Sequence, residues 1–143
     1  MKYKILEHKA DIKIKVFGKT LEGLFKNAVW AMASILVKSL KFKVKSLRLK
    51  KIITTKSINE EVLLVDFLND ILGESQINQA IYPEIRLIDF QPEGLQGMAY
   101  LKAEISGYKI GRFDEDIKAV TYHDLSIRQN ENGVWEATIL FDV

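Results

Sequence analysis

The chain has 143 residues, 48% hydrophobic and 28% charged, with a formal net charge of +2 and no cysteine. That length suits one domain, 1–143, with a sizeable core, and the composition is globular rather than disordered. Lack of cysteine excludes disulfides, thiol nucleophiles and thiolate metal sites, and no apolar run reaches the roughly 18–20 residues of a membrane helix.

The first residues, Met1 to Lys15, alternate lysine with apolar side chains instead of building the apolar run of a signal peptide. A cytoplasmic protein with no membrane partner is expected. The charge is unevenly spread. Residues 1–56 hold 15 Lys and Arg against three acidic residues, and the rest of the chain holds six against 16. Such segregation either steers a polyanion or an acidic partner, or the two halves neutralise each other on folding.

Tyr3 and Ile5 alternate with Lys2 and Lys4, the period-two pattern of a half-buried strand, and the pattern resumes as Ile12, Ile14 and Val16. Glu7 to Asp11 interrupts it. Gly18 marks a turn, Thr20 is a candidate N-cap, and Leu21, Leu24, Phe25, Ala28, Met32 and Ile35 recur at helical spacing to near Val37. A strand is expected over Val44 to Thr55. Ser57-Ile58-Asn59-Glu60 has capping-box spacing and opens a second helix with Leu63, Phe67, Leu68, Ile71 and Leu72 on its buried face, stopped at Gly73.

Strands follow at Ile85 to Phe90 and Leu95 to Ser106. Ile117 to Gln129 and Val134 to Val143 read as a hairpin around Asn132-Gly133. The order ββαβαββββ predicts an α+β fold in which two amphipathic helices pack on one face of a largely antiparallel or mixed sheet.

Several familiar chemistries are missing. There is no phosphate loop, no Gly-x-Gly-x-x-Gly and no nucleophile elbow. His8 and His123 are too far apart for a local zinc motif. What stands out is polar residues in apolar surroundings. Glu7-His8-Lys9-Ala10-Asp11 breaks a strand without Pro or Gly, and Asp142 sits between Phe141 and Val143. Lys118 and His123 lie in a strand-forming run. A carboxylate facing the core needs a cation or hydrogen-bond donor. The plain alternatives are an exposed strand face for Lys118, a core histidine for His123 and solvent for Asp142.

The same segments resemble the archease family. Tyr3-Lys4-Ile5-Leu6-Glu7-His8-Lys9-Ala10-Asp11-Ile12 is similar to that family's Tyr-x-x-Leu-x-His-Thr-Ala-Asp-Ile, with Lys9 in place of threonine. Gly18-Lys19-Thr20-Leu21-Glu22 with Phe25 and Ala28 resembles its first helix, and Leu63 to Leu72 its second. Lys118-Ala119-Val120-Thr121-Tyr122-His123 and the closing Ile139-Leu140-Phe141-Asp142-Val143 complete the resemblance in chain order. Gly107-Tyr108 stands where the family has Gly-Glu.

The resemblance implies an accessory protein, not an enzyme. Its partner would be the RtcB-type tRNA-splicing RNA ligase, whose guanylylation and multiple turnover it promotes, with tRNA met only through the ligase. It further implies that Asp11 and Asp142 bind a divalent metal ion, with a Val143 main-chain or terminal oxygen as a further ligand. It implies too that Lys118 is needed for ligase activation; His8 and His123 are candidates for a place behind the ligands. An all-oxygen set suits calcium first, with magnesium or manganese in its place. The competing readings are an RNA-binding module built on the lysine-rich half, and a general chaperone or modulator of RNA-processing enzymes such as tRNA methyltransferases.

Overall fold

A computed structural model describes residues 1–6, 11–39, 49–94 and 97–143. The elements are β1 (Tyr3–Leu6), β2 (Asp11–Gly18), α1 (Leu21–Leu36), β3 (Leu49–Ser57), α2 (Glu60–Asn78), β4 (Ala80–Gln91), β5 (Ala99–Lys109), β6 (Ala119–Gln129) and β7 (Trp135–Asp142). The fold is α+β in the expected order. Its strands form two antiparallel sheets where one was expected: β1-β2-β7-β6 and β3-β5-β4. Residues 44–48 of the expected Val44–Thr55 strand, and Leu95 and Gln96, lie outside the described residues.

Each helix meets both sheets, α1 against β2 and β4, α2 against β3 and β6. That double contact explains why the buried stripe of α1 is wide, leaving Glu22 and Lys26 on a narrow exposed face. Ala31, Met32 and Ala33 are consecutive and all buried, which a helix covered on one side only would not show. Phe25 is fully buried and meets Phe90 of β4 edge-on, with ring centroids 5.0 Å apart. Burying a side chain of that size stabilises by about 1.5–3 kcal/mol.

Helix α1 starts as read, with the Thr20 hydroxyl accepting from the Gly23 N–H at 3.0 Å. Gly18 is the last residue of β2, paired with Trp135. A Cβ there would lie 2.3 Å from the Leu24 main-chain nitrogen, so the close approach of α1 demands glycine.

Both ends of α2 differ from expectation. Asn59, not Ser57, is its N-cap and accepts from the Val62 N–H at 2.8 Å. Ser57 belongs to β3, opposite Ala99, and its hydroxyl donates to Asp66 at 2.6 Å. Nor does Gly73 end the helix, which runs to Asn78 and closes on Gln79 in the left-handed region. A glycine inside a helix costs about 1 kcal/mol relative to alanine. Contacts beyond it, such as Asn78 to the Tyr82 hydroxyl at 2.9 Å, offset that cost.

Strand β4 begins five residues before the expected Ile85. Pro83 lies inside it, where the register with β5 shifts between Ile81 and Glu84. Proline is tolerated because β4 is an edge strand with an irregularity at that point. The β6–β7 hairpin turns as expected at Gly133, φ 80, with the Asn130 side chain accepting from the N–H groups of Asn132 and Val134.

Candidate functional site at the meeting of the chain ends

Strand β7, last in sequence, is flanked by β2 and β6. The register sets Asp11 directly opposite Asp142 on one side, and Ala119 opposite Asp142 on the other. Directly opposed residues put their Cβ atoms about 4.5–5.5 Å apart on the same sheet face. Both aspartates are half-buried, and Ile12 and Phe141 beside them face inward against the core. The two irregularities in the sequence pattern thus fall in one cross-strand row.

Lys118 enters this row through its backbone, its N–H donating to the Asp142 carbonyl at 2.7 Å. Its side chain is exposed, as the plain reading had it, although Lys118 lies one residue before β6 and not on a strand face. Val143, half-buried, packs against the core. His8 lies outside the described residues. His123 is exposed, which corrects the expectation of a core histidine. The reason is a register shift between Thr121 and Ser126, where β6 carries extra residues that β7 does not match. Asp124 there takes a positive φ of 56, and the bulge turns His123 outward.

The bulge is held on two sides. Asp124 pairs with Lys13 of β2 at 3.4 Å, and the Tyr122 hydroxyl donates to Asp66 of α2. That hydrogen bond, followed by partial burial and the charges of Asp66 and Asp70, raises the Tyr122 phenol above its ordinary value. Farther along the same sheet Glu136 meets Lys15 at 3.5 Å and Arg128 at 3.6 Å. The Asn130 amide, then the two cations, hold its carboxyl below the usual value against the opposing effect of burial.

Lys13–Asp124, Lys15–Glu136 and Lys51–Glu74 all join a lysine of the basic first part to an acid of the second. Neutralisation between the halves therefore accounts for part of the charge asymmetry.

Two carboxylates in one cross-strand row offer oxygen donors alone, the kind that a hard cation takes. Among the described residues no group of three or more His, Cys, Asp or Glu side chains gathers around a common point. The two carboxylates by themselves would fit a hard divalent ion taking further oxygen donors, and do not fit a structural zinc, which wants four nitrogen or sulfur ligands.

Sequence reasoning missed the residues that hold this row from behind. Asn69 of α2 bonds Val120 twice, its carbonyl accepting from the Val120 N–H and its amide donating to the Val120 carbonyl, both at 2.9 Å. Gln76 donates to the Ile117 carbonyl at 3.0 Å. Their one sequence signal is an amide pair seven residues apart, hence on one helix face.

An α+β domain that joins its two chain ends in a carboxylate row is the class defined by this geometry. The sequence profile of the archease protein family (MTH1598/TM1083) matches residues 3–143, and the chain belongs to that family. It is 33% identical over 145 residues to the protein archease of Methanosarcina barkeri, covering 99% of this chain and 95% of that one. It is 30% identical over 150 residues to the protein archease of Thermoplasma acidophilum, covering 100% and 94%.

The fold is similar to the solution structure of protein 1598 of Methanobacterium thermoautotrophicum, with TM-score 0.77, 20% identity and 99% of both chains covered. It is also similar to the crystal structure of an archease from Thermotoga maritima, described there as a possible chaperone. The TM-score is 0.61, with 24% identity and 98% and 96% covered. At those identities the structures speak for the fold alone. Among the described residues no helix is long and apolar enough to cross a membrane.

Proposed function

We propose that this chain is a non-catalytic activator of an RtcB-type tRNA-splicing RNA ligase, promoting its guanylylation and repeated turnover in the cytoplasm. One observation carries the reading: the Asp11–Asp142 pair with exposed Lys118 bonded through its backbone to Asp142. Family membership supports the choice of partner.

Asp11 and Asp142, with a Val143 oxygen, would hold a divalent ion, calcium first and magnesium or manganese in its place. When bound, the ion supplies positive charge between carboxylates that otherwise repel. The β2–β7 register keeps those carboxylates paired, and Lys118 presents a mobile ammonium for a carboxylate or phosphate of the ligase. His123, exposed on the β6 bulge, is likewise open to a partner.

The test joins metal titration to ligase turnover. Calorimetry with calcium or manganese should find one site in the parent and none in Asp11→Asn or Asp142→Asn. Lys118→Ala should lose ligase stimulation while its stability stays within about 0.5 kcal/mol of the parent, as for an exposed surface change. Equal binding by parent and both aspartate variants would sink the metal site. Normal stimulation by Lys118→Ala would sink its role.

The ion pairs of Lys13, Lys15 and Lys51 with acids of the second part weigh against an RNA-binding module only at those three lysines. Tight, steeply salt-dependent tRNA binding without the ligase would restore that reading. A general chaperone or modulator role is favoured by the description of the Thermotoga relative alone. It predicts equal stimulation by Lys118→Ala.

A further inference from the structure

Among the described residues, strand β6 is an edge of its sheet, with β7 on one side and no strand on the other. Successive residues of an antiparallel strand direct their main-chain groups alternately to the two sides. Ala119 and Thr121, on either side of Val120, pair with Asp142 and Leu140 of β7, and both polar groups of Val120 itself go the opposite way, to α2. There the Asn69 side chain takes the place of a neighbouring peptide. Its planar amide offers one acceptor and a donor pair at short reach, a match that leucine lacks and an ionised aspartate meets only by half.

The segment leading to Val120 is tied down in the same manner. The Ile110 N–H donates to the Gln79 carbonyl and the Asp114 N–H to the Leu36 carbonyl. Asp114 in turn accepts from the Lys38 N–H at 2.7 Å, and Gln76 holds Ile117. Lys118 is therefore the exposed residue between two side-chain clamps of one helix, with its own N–H committed to Asp142.

We propose that Asn69 is a positioning residue for the site, acting through Val120 to fix the Lys118 backbone against Asp142. The proposal rests on the functional reading only for what Lys118 then does. The positioning itself can be measured without a ligase.

The experiment compares the parent with Asn69→Leu and Asn69→Asp, using amide hydrogen exchange and ligase stimulation titrated against activator concentration. In Asn69→Leu the Lys118 and Val120 amides should exchange at least tenfold faster, while amides of α1 and of the β3–β5 pairing keep their parental rates. Asn69→Asp retains an acceptor for the Val120 N–H but no donor for its carbonyl, so it should fall between the two. Maximal stimulation should drop in the same order, and the activator concentration giving half of it should stay constant.

Parental exchange at Lys118 and Val120 in either folded variant overturns the proposal. So does faster exchange spread evenly over the molecule, which marks a purely structural residue. Should Asn69→Leu fail to fold, Asn69→Asp decides alone. If exchange responds as expected but Lys118→Ala still stimulates normally, the positioning stands and the functional reading falls.

Discussion

Helix α1, packed on β2 and β4, buries Leu24, Phe25, Ala28, Met32 and Ile35, and adds one side-chain hydrogen bond to a strand, Asn27 donating to the Phe17 carbonyl of β2 at 2.7 Å. Helix α2 also buries leucines and Phe67, but turns Asp66, Asn69, Asp70 and Gln76 toward β3 and β6 and spends each on a named partner. Asp66 serves Ser57 and Tyr122, Asp70 accepts from Thr55 at 2.7 Å, Asn69 holds β6 at Val120, and Gln76 holds the segment before it at Ile117.

Both helices join the same two sheets. Apolar packing is non-directional and tolerates small displacements, whereas hydrogen bonds with angular limits fix where a strand lies. The first helix holds the fold together, and the second determines where β6 and Lys118 sit.

The comparison is broken most severely from the α1 side. Phe25→Ala removes a fully buried ring and its edge contact with Phe90, and should cost about 3–5 kcal/mol in urea denaturation. A loss below about 1 kcal/mol would mean that α1 is not the main anchor of the core.

Gly73→Ala sharpens the comparison from the α2 side. An added Cβ meets nothing within 4 Å, so the change should stabilise by about 0.5–1 kcal/mol through helix propensity and unfolded-chain entropy. A loss of stability would show that α2 needs flexibility at that point.

The smallest effect concerns Tyr122, whose phenol is raised above 10.0 first by its bond to Asp66. A group with a raised folded value contributes stability below its unfolded value and loses it as pH climbs through the folded one. The parent should therefore weaken above about pH 10, and Tyr122→Phe should lack that part of the decline. Stability curves of the two proteins that remain parallel into alkali would contradict the assignment.

How legible all this is in sequence depends on which forces acted. Thr20 and the period of α1 are local signals, and they predict that helix to within a residue. At the start of α2, Ser57 and Asn59 are both good caps. What decides between them is the pairing of Ser57 with Ala99 in the β3–β5 ladder, a long-range fact.

The division into two sheets is likewise invisible to alternation, which reports one buried face per strand and not which strands share a ladder. Asp11 and Asp142 could be read because each breaks an apolar pattern, although their pairing needed the register. Asn69 could not be read. A polar residue on a half-buried helix looks ordinary until the edge strand it satisfies is known.

The flanking of β7 by β2 and β6 has a consequence for synthesis. The β1–β2 hairpin is available early, but the strand that completes its sheet emerges last. Until then β2 presents an unpaired edge, and unpaired edges invite association between chains. Lys13 and Lys15, which end up beside Asp124 and Glu136, have no such partners while those residues are still to be made. In that interval their charges act as gatekeepers, repelling a second nascent copy from the exposed edge. The same two lysines thus guard the unfinished chain and later secure the finished sheet.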